Sequence, residues 1–221
     1  MHFLAVGDSI TFGEGATRHC LSYPCVLTQM LRHTRGIQSA SGLVVAEPGW
    51  TSGALNAAAH ALGRTAFAKE RAIIIWVGGD DLGYAALAAA NGSSQPMRGV
   101  TSALKRYGYQ LRGLVRYIQT STHTPIYLCT QYNPFPNSPL AVDGIAALNA
   151  VTKEVADSAG CICVPTASWF AGRQKELIAG YHTGTLRDIK RHGVLPIHPN
   201  NAGHQVIARG LYGIIAPKFS L

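Results

Sequence analysis

No apolar run in this chain is long enough to cross a bilayer. The longest, such as Ala72 to Val77, are strand-sized, whereas a spanning helix needs about 20 apolar residues in succession. Cysteine is sparse and unpatterned. Cys20, Cys25, Cys129, Cys161 and Cys163 are odd in number and scattered, which excludes a dense disulfide framework, and no Cys/His spacing suits zinc. Cys161 and Cys163 alternate as small buried hydrophobes on a strand do. Acidic residues are few as well, 11 against 19 lysines and arginines, for a net charge of +8. That balance invites a nucleic-acid partner, but the basic residues are dispersed. From Arg98 to Thr120, Lys105, Arg112 and Arg116 share one helical face, opposite a stripe of Leu104, Tyr107, Leu111, Leu114 and Ile118, the pattern of a solvated surface helix. No aromatic-interleaved basic tract stands beside it. The one local cluster, Arg187, Lys190, Arg191 and His192, reads as a solvated loop, with a basic lip for anionic substrates as the alternative. The expectation is a chain with no nucleic-acid partner, no metal, no cofactor and no membrane span. No signal peptide precedes the first strand, which begins at residue 2 or 3, so a cytoplasmic location is expected. Asn91-Gly92-Ser93 matches a glycosylation acceptor without the secretory context that would give it meaning.

A chain of 221 residues that is 47% hydrophobic can bury one good core, and no linker, repeat or compositional shift divides it. A single domain over 1–221 is therefore expected. Apolar runs and helical patterns alternate along it. Strands are expected at Phe3–Val6, Leu43–Ala46, Ala72–Val77, Ile126–Thr130 and Cys161–Val164. Between them, helices are expected from Tyr23 to His33, from the Gly53 turn to about Lys69, after Leu82, from Arg98 to Thr120, and around Ile145, Leu148, Val151 and Val155. A Gly/Ser-rich break falls at Asn91–Pro96, a Pro-rich loop at Tyr132–Pro139, and Ser168–Pro196 reads as loop with a short helix near Arg173–Ala179. The last helix starts after His198-Pro199-Asn200-Asn201 and buries Val206, Ile207, Leu211, Ile214 and Ile215. Strands alternating with helices imply a parallel sheet covered on both faces, a three-layer α/β/α sandwich with the Ile-rich strand central. Such sheets place their chemistry at the carboxyl ends of the strands.

The first strand stops at Gly7-Asp8-Ser9-Ile10-Thr11. A Gly-Asp-Ser tripeptide is also an ordinary turn; position and company make it informative. The second strand ends at Gly49-Trp50-Thr51-Ser52, the third at Gly78-Gly79-Asp80-Asp81, and Leu195-Pro196-Ile197-His198-Pro199 precedes the last helix. In this order the four blocks resemble those of the SGNH/GDSL hydrolases, especially the small microbial esterase and lysophospholipase-like branch, and the resemblance covers nearly the whole chain. Ser22-Tyr23-Pro24, Leu27 and Asn200-Asn201-Ala202-Gly203-His204 are similar to that branch too. The resemblance implies a flavodoxin-like, five-stranded fold. It also implies Ser9 as nucleophile, and the backbone N–H groups of Ser9 and Gly49 in the oxyanion hole with the residue at Asp80.

The chemistry has its own logic. A serine hydroxyl needs a base to take its proton, and His198, at a loop-to-helix junction, is the expected base. His182 and His192 are its rivals; His204, inside the helix, packs or faces solvent. Two positions depart from the family pattern. An Asn amide belongs at Asp80, and an ionised carboxylate there repels an oxyanion unless its pKa is raised enough to keep it protonated; reduced or acid-shifted activity is expected. Asp81 is read as structural, bonding to turn backbone. The family's triad acid belongs at Leu195, and leucine cannot stabilise an imidazolium. Two arrangements stay open: a Ser9–His198 dyad with a backbone carbonyl on Nδ1, which is favoured, or Asp188 folding in as substitute. The expected function is a serine esterase acting on small or carbohydrate-borne acyl esters through an acyl-serine. The alternative is an SGNH-fold binding or structural domain whose chemistry has decayed.

Overall fold

A computed structural model describes residues 1–90 and 96–219. The expected break at Asn91–Pro96 and the Asn91-Gly92-Ser93 sequence lie in large part outside the described residues. Five parallel strands form one sheet in the order β2-β1-β3-β4-β5: β1 (His2–Gly7), β2 (Ser41–Ala46), β3 (Ala72–Trp76), β4 (Ile126–Cys129) and β5 (Ile162–Val164). The Ile-rich strand is central, as its unbroken apolar run demands, and every residue of β3 is buried.

Alternation along the strands sorts the core into two layers. Phe3, Ala5, Ile74, Trp76, Tyr127 and Cys129 point to one face, covered chiefly by α2 (Tyr23–Arg32), α8 (Thr166–Phe170) and α10 (Asn201–Ile215). Leu4, Val6, Ile73, Ile75, Ile126 and Leu128 point to the other. There lie α3 (Ser52–Leu62), α4 (Thr65–Ala68), α6 (Pro96–Gln119) and α7 (Pro139–Ala159). Each of these fully buried aliphatic or aromatic side chains contributes about 2 kcal/mol by leaving water. The three-layer α/β/α architecture is thus observed. Among the described residues no helix is long and apolar enough to cross a membrane.

Several local expectations are corrected. The helix expected to run to Lys69 breaks at Gly63 into α3 and α4. A one-turn helix, α1 (Ser9–Phe12), stands directly after the first strand. The short helix expected near Arg173–Ala179 is α9 (Gln174–Leu177), but the stretch read otherwise as loop also holds the end of α8 and a 3-10 turn at Leu186–Lys190. Cys161 falls just before β5, and Cys161 and Cys163 are only half-buried, because β5 is an edge strand. Val206 and Ile214 flank the buried stripe of α10, whose inner line is His204, Ile207, Ala208, Leu211 and Ile215.

The register positions the site. Gly7 pairs with Ala46 on one side and with Trp76 on the other. Strands β1, β2 and β3 therefore end level, and the turns that follow them emerge side by side at one edge of the sheet.

Candidate active site

Ser9 is placed by a turn that tolerates little change. A Cβ at Gly7 would overlap the Thr11 hydroxyl and the Trp76 carbonyl, so only glycine lets the chain leave the strand here. Asp8 caps α1 by accepting the Ile10 N–H at 3.1 Å. Burial, with Asp80 and Asp81 nearby, holds the Asp8 carboxyl well above the usual carboxylate range. The Ser9 carbonyl accepts from both Gly13 and Glu14, which closes the turn and leaves Ser9, nine-tenths buried, at its start.

His198 arrives from the far end of the chain on a tied-down turn. Its carbonyl accepts from Ala179 N–H at 2.9 Å, Asn200 N–H bonds the Leu177 carbonyl at 2.9 Å, and Tyr132 donates its hydroxyl to the Ile197 carbonyl at 2.6 Å. Asn200 then caps α10 through the Gly203 N–H. The loop after α1 packs so closely on this turn that a Cβ at Gly15 would overlap the Pro199 carbonyl and crowd His198. These constraints bring His198 Nε2 to 3.0 Å from Ser9 Oγ. His182 and His192 are exposed and lie in neither contact.

The same Nε2 stands 2.9 Å from a carboxylate oxygen of Glu14. Glu14 belongs to none of the four motif blocks. The available signal was its setting, a charged residue between Gly13 and Gly15 just after the serine block. His198 Nδ1, by contrast, has no hydrogen-bond partner among the described residues. The backbone carbonyl expected on Nδ1 is not found among the described residues, and Leu195, in the position of the family's acid, is 40% exposed. Asp188 does not fold in either. It accepts from the Thr183 N–H and hydroxyl and the Gly184 N–H, each at 2.8 Å. Burial pushes its carboxyl up, but those donors prevail and hold it below the ordinary value.

The other expected residues lie on the neighbouring turns. Gly49 has φ +82°, and the N–H groups of Ser9 and Gly49 find no acceptor among the described residues. Asp80 and Asp81 open α5 (Gly79–Ala90). Asp81 is structural, as expected, but its partner is Ser52 at the start of α3. Asp80 is half-buried and accepts no hydrogen bond among the described residues. Burial, then Asp81 and Glu14, push its carboxyl up to about 6. Burial also lowers the His198 imidazole below its ordinary value, with Glu14 acting against it. Asp8 thus feels Asp80 and Asp81, and Asp80 feels Asp81 and Glu14, so these contacts draw on four of the chain's eleven acids. A cavity of about 400 Å³ lies behind the Ser52–Asp81 link, lined by Thr51, Asp81, Tyr84 and Arg106 among others; neither Ser9 nor His198 lines it. His204 is fully buried, accepts the Tyr23 N–H at Nδ1 and donates from Nε2 to the Glu14 carbonyl. Among the described residues no cluster of His, Cys, Asp or Glu is arranged to hold a metal ion.

A serine and a histidine in contact at the carboxyl edge of a parallel sheet of order 2-1-3-4-5 define a flavodoxin-like α/β/α architecture with a nucleophile and a base at its usual site. The model of the GDSL-like lipase/acylhydrolase family matches residues 5–206, and the chain belongs to that family of ester-bond hydrolases. Similar solved structures include a lipase, Lip_vut3, from a goat rumen metagenome, at 20% identity over 100% of this chain and 98% of that one, TM-score 0.79. Another is LAE5, described as an alpha/beta hydrolase enzyme from the metagenome of Lake Arreo, Spain, at 20% identity over 96% and 93%, TM-score 0.71. A third is Axe2, an acetylxylan esterase from Geobacillus stearothermophilus, at 20% identity over 100% and 96%, TM-score 0.70. At these identities the likeness is one of fold. No curated protein gives a significant match.

Proposed function

We propose that this chain is a serine esterase that cleaves small or carbohydrate-borne acyl esters through an acyl-Ser9 intermediate. The observation that carries the reading is the 3.0 Å approach of His198 Nε2 to Ser9 Oγ. At that distance the imidazole takes the hydroxyl proton as Oγ bonds the ester carbonyl carbon. The tetrahedral intermediate collapses by breaking the bond to the alcohol, which leaves with the proton from Nε2. Water then repeats the sequence on the acyl-serine and releases the acid. The free N–H groups of Ser9 and Gly49 face the developing oxyanion, joined by Asp80 when it is protonated. A similar fold carries an acetylxylan esterase, which supports a small, carbohydrate-borne acyl ester as substrate.

Hydrolysis of p-nitrophenyl acetate with fluorophosphonate labelling tests this. Ser9→Ala abolishes both while the protein stays folded; labelling that persists in folded Ser9→Ala removes the central claim. A second reading, a binding domain with decayed chemistry, draws on the carboxylate at Asp80 and the unpartnered Nδ1 of His198. Absence of hydrolysis and labelling in the folded wild type favours it.

A further inference from the structure

We propose that Glu14 is the positioning carboxylate of His198, supplying from the Nε2 side of the ring the counter-charge that Leu195 cannot supply at Nδ1. The contact is built, not incidental. Glu14 N–H bonds the Ser9 carbonyl, and its own carbonyl is held by His204 Nε2 at 2.9 Å. The ring of His204 is fixed in turn by the Tyr23 N–H on Nδ1. The backbone of Glu14 is thus tied at both ends, and its carboxylate reaches 2.9 Å from His198 Nε2.

The physical argument concerns which form of His198 Glu14 stabilises most. Neither neutral tautomer carries net charge, whereas the imidazolium that forms as Ser9 gives up its proton does. The neutral ring that can take the Ser9 proton presents a lone pair at Nε2, which an anion 2.9 Å away does not favour. The imidazolium presents a charged N–H there, which the anion does favour. The carboxylate thus favours the transition state over this productive ground state, which is the condition for a rate gain. It also favours the neutral Nε2–H tautomer that cannot act as base, so its gain is smaller than that of a carboxylate on Nδ1. The triad carboxylate of a serine protease stabilises the imidazolium in the same sense, from Nδ1. The charged and titratable groups around His198 are Glu14 on the loop after α1, His204 on α10 and, through Glu14, Asp80 on α5. Of these, Glu14 is the anion acting on the ring.

The inference rests on the esterase reading for its rate effect, but not for its titration. NMR titration of His198, assigned with His198→Asn, is compared in wild type and Glu14→Gln. Removal of the charge lowers the His198 pKa, and added salt lowers it in the wild type without any substitution. In p-nitrophenyl acetate hydrolysis, Glu14→Gln lowers kcat on the order of tenfold. That is well short of the ~10⁴ cost of a buried triad acid, because the Glu14 side chain is 38% exposed. The acidic limb of the kcat profile moves to lower pH. The loss shrinks in a Leu195→Asp background, where a second carboxylate serves the ring. An unshifted His198 titration overturns the proposal, whether or not the wild type hydrolyses esters. A Glu14→Gln protein faster than wild type overturns it too, since Glu14 is then an obstacle in the substrate's place. An equal loss with and without Leu195→Asp shows a structural role only. A wild type that neither labels nor hydrolyses sinks the esterase reading and leaves the titration to decide the pairing.

Discussion

Asp81 grips Ser52 with both carboxylate oxygens, accepting its N–H at 2.7 Å and its hydroxyl at 2.6 Å. The turn after β3 is thereby tied to the turn after β2, and the two segments that flank the candidate oxyanion site move as one. Asp81 is 6% exposed and Ser52 1%, so breaking the link strands buried polar groups. Asp81→Ala is expected to lower unfolding stability by about 3 kcal/mol and Ser52→Ala by about 1 kcal/mol, since the backbone donor survives in the second. Urea unfolding measures both, and equal effects would show that the hydroxyl carries the whole link.

Asp80 has no such partner, and its protonation state sets its use. With its pKa pushed up to about 6, roughly a tenth of it is protonated at pH 7 and most of it at pH 5. Only that fraction donates to an oxyanion, whereas an asparagine amide donates at every pH. Asp80→Asn is expected to raise turnover about tenfold at pH 7, with the gain shrinking toward pH 5. Burial keeps His198 below its ordinary pKa of 6.5, so the base retains neutral form over part of that range. A mutant-to-wild-type ratio at or below one from pH 5 to 8 places Asp80 outside the oxyanion hole.

Asp188 and Leu195 separate two routes to a triad acid. Asp188 is committed to Thr183 and Gly184, so Asp188→Asn is expected to cost about 1–2 kcal/mol of stability with little change in turnover. Leu195, exposed three residues before His198, has room for a carboxylate, and Leu195→Asp is expected to raise turnover tenfold or more. A large loss of turnover in Asp188→Asn at unchanged melting temperature would put that residue back against His198.

His204 makes the fold acid-sensitive. Burial lowers its pKa from 6.5 to about 4, so between those values the unfolded chain binds the extra proton and stability falls as pH falls. The contribution is fully present above pH 6.5, lost on the way to about pH 4, and on the order of 3 kcal/mol. Asp80, raised from 3.8 to about 6, acts in the opposite sense over an overlapping window. The difference between wild type and His204→Gln isolates the histidine: wild-type stability is expected to decline more steeply from pH 6.5 to 4. Parallel curves would mean that His204 titrates normally.

The layers of this molecule were legible because unbroken apolar runs such as Phe3–Val6 and Ala72–Trp76 fit only strands covered on both faces. Ser9, Gly49, Asp80 and His198 were legible as turn residues at strand or helix ends. Glu14 was not, because its role depends on a contact with a residue 184 positions away, which periodicity cannot report. The commitment of Asp188 to Thr183 was hidden for the opposite reason: its partners are local, but they belong to a polar stretch without a repeating pattern. The division of the Ala-rich helix at Gly63 was visible as a glycine, yet one glycine inside a helical pattern is often tolerated.

Ser9 and His198 are separated by 189 positions, and the strand that presents the serine lies inside the sheet with neighbours on both sides. The hydroxyl therefore gains its base only after β1 has been sandwiched and α10 has docked on α2. During synthesis Ser9 emerges 189 residues before His198, and it holds no base until the segment that carries His198 arrives. Contacts of such long range form late and slowly. Reactivity at Ser9 is consequently a reporter of completed folding: partly folded species keep an inert hydroxyl, and the cell meets the nucleophile only in its finished enclosure.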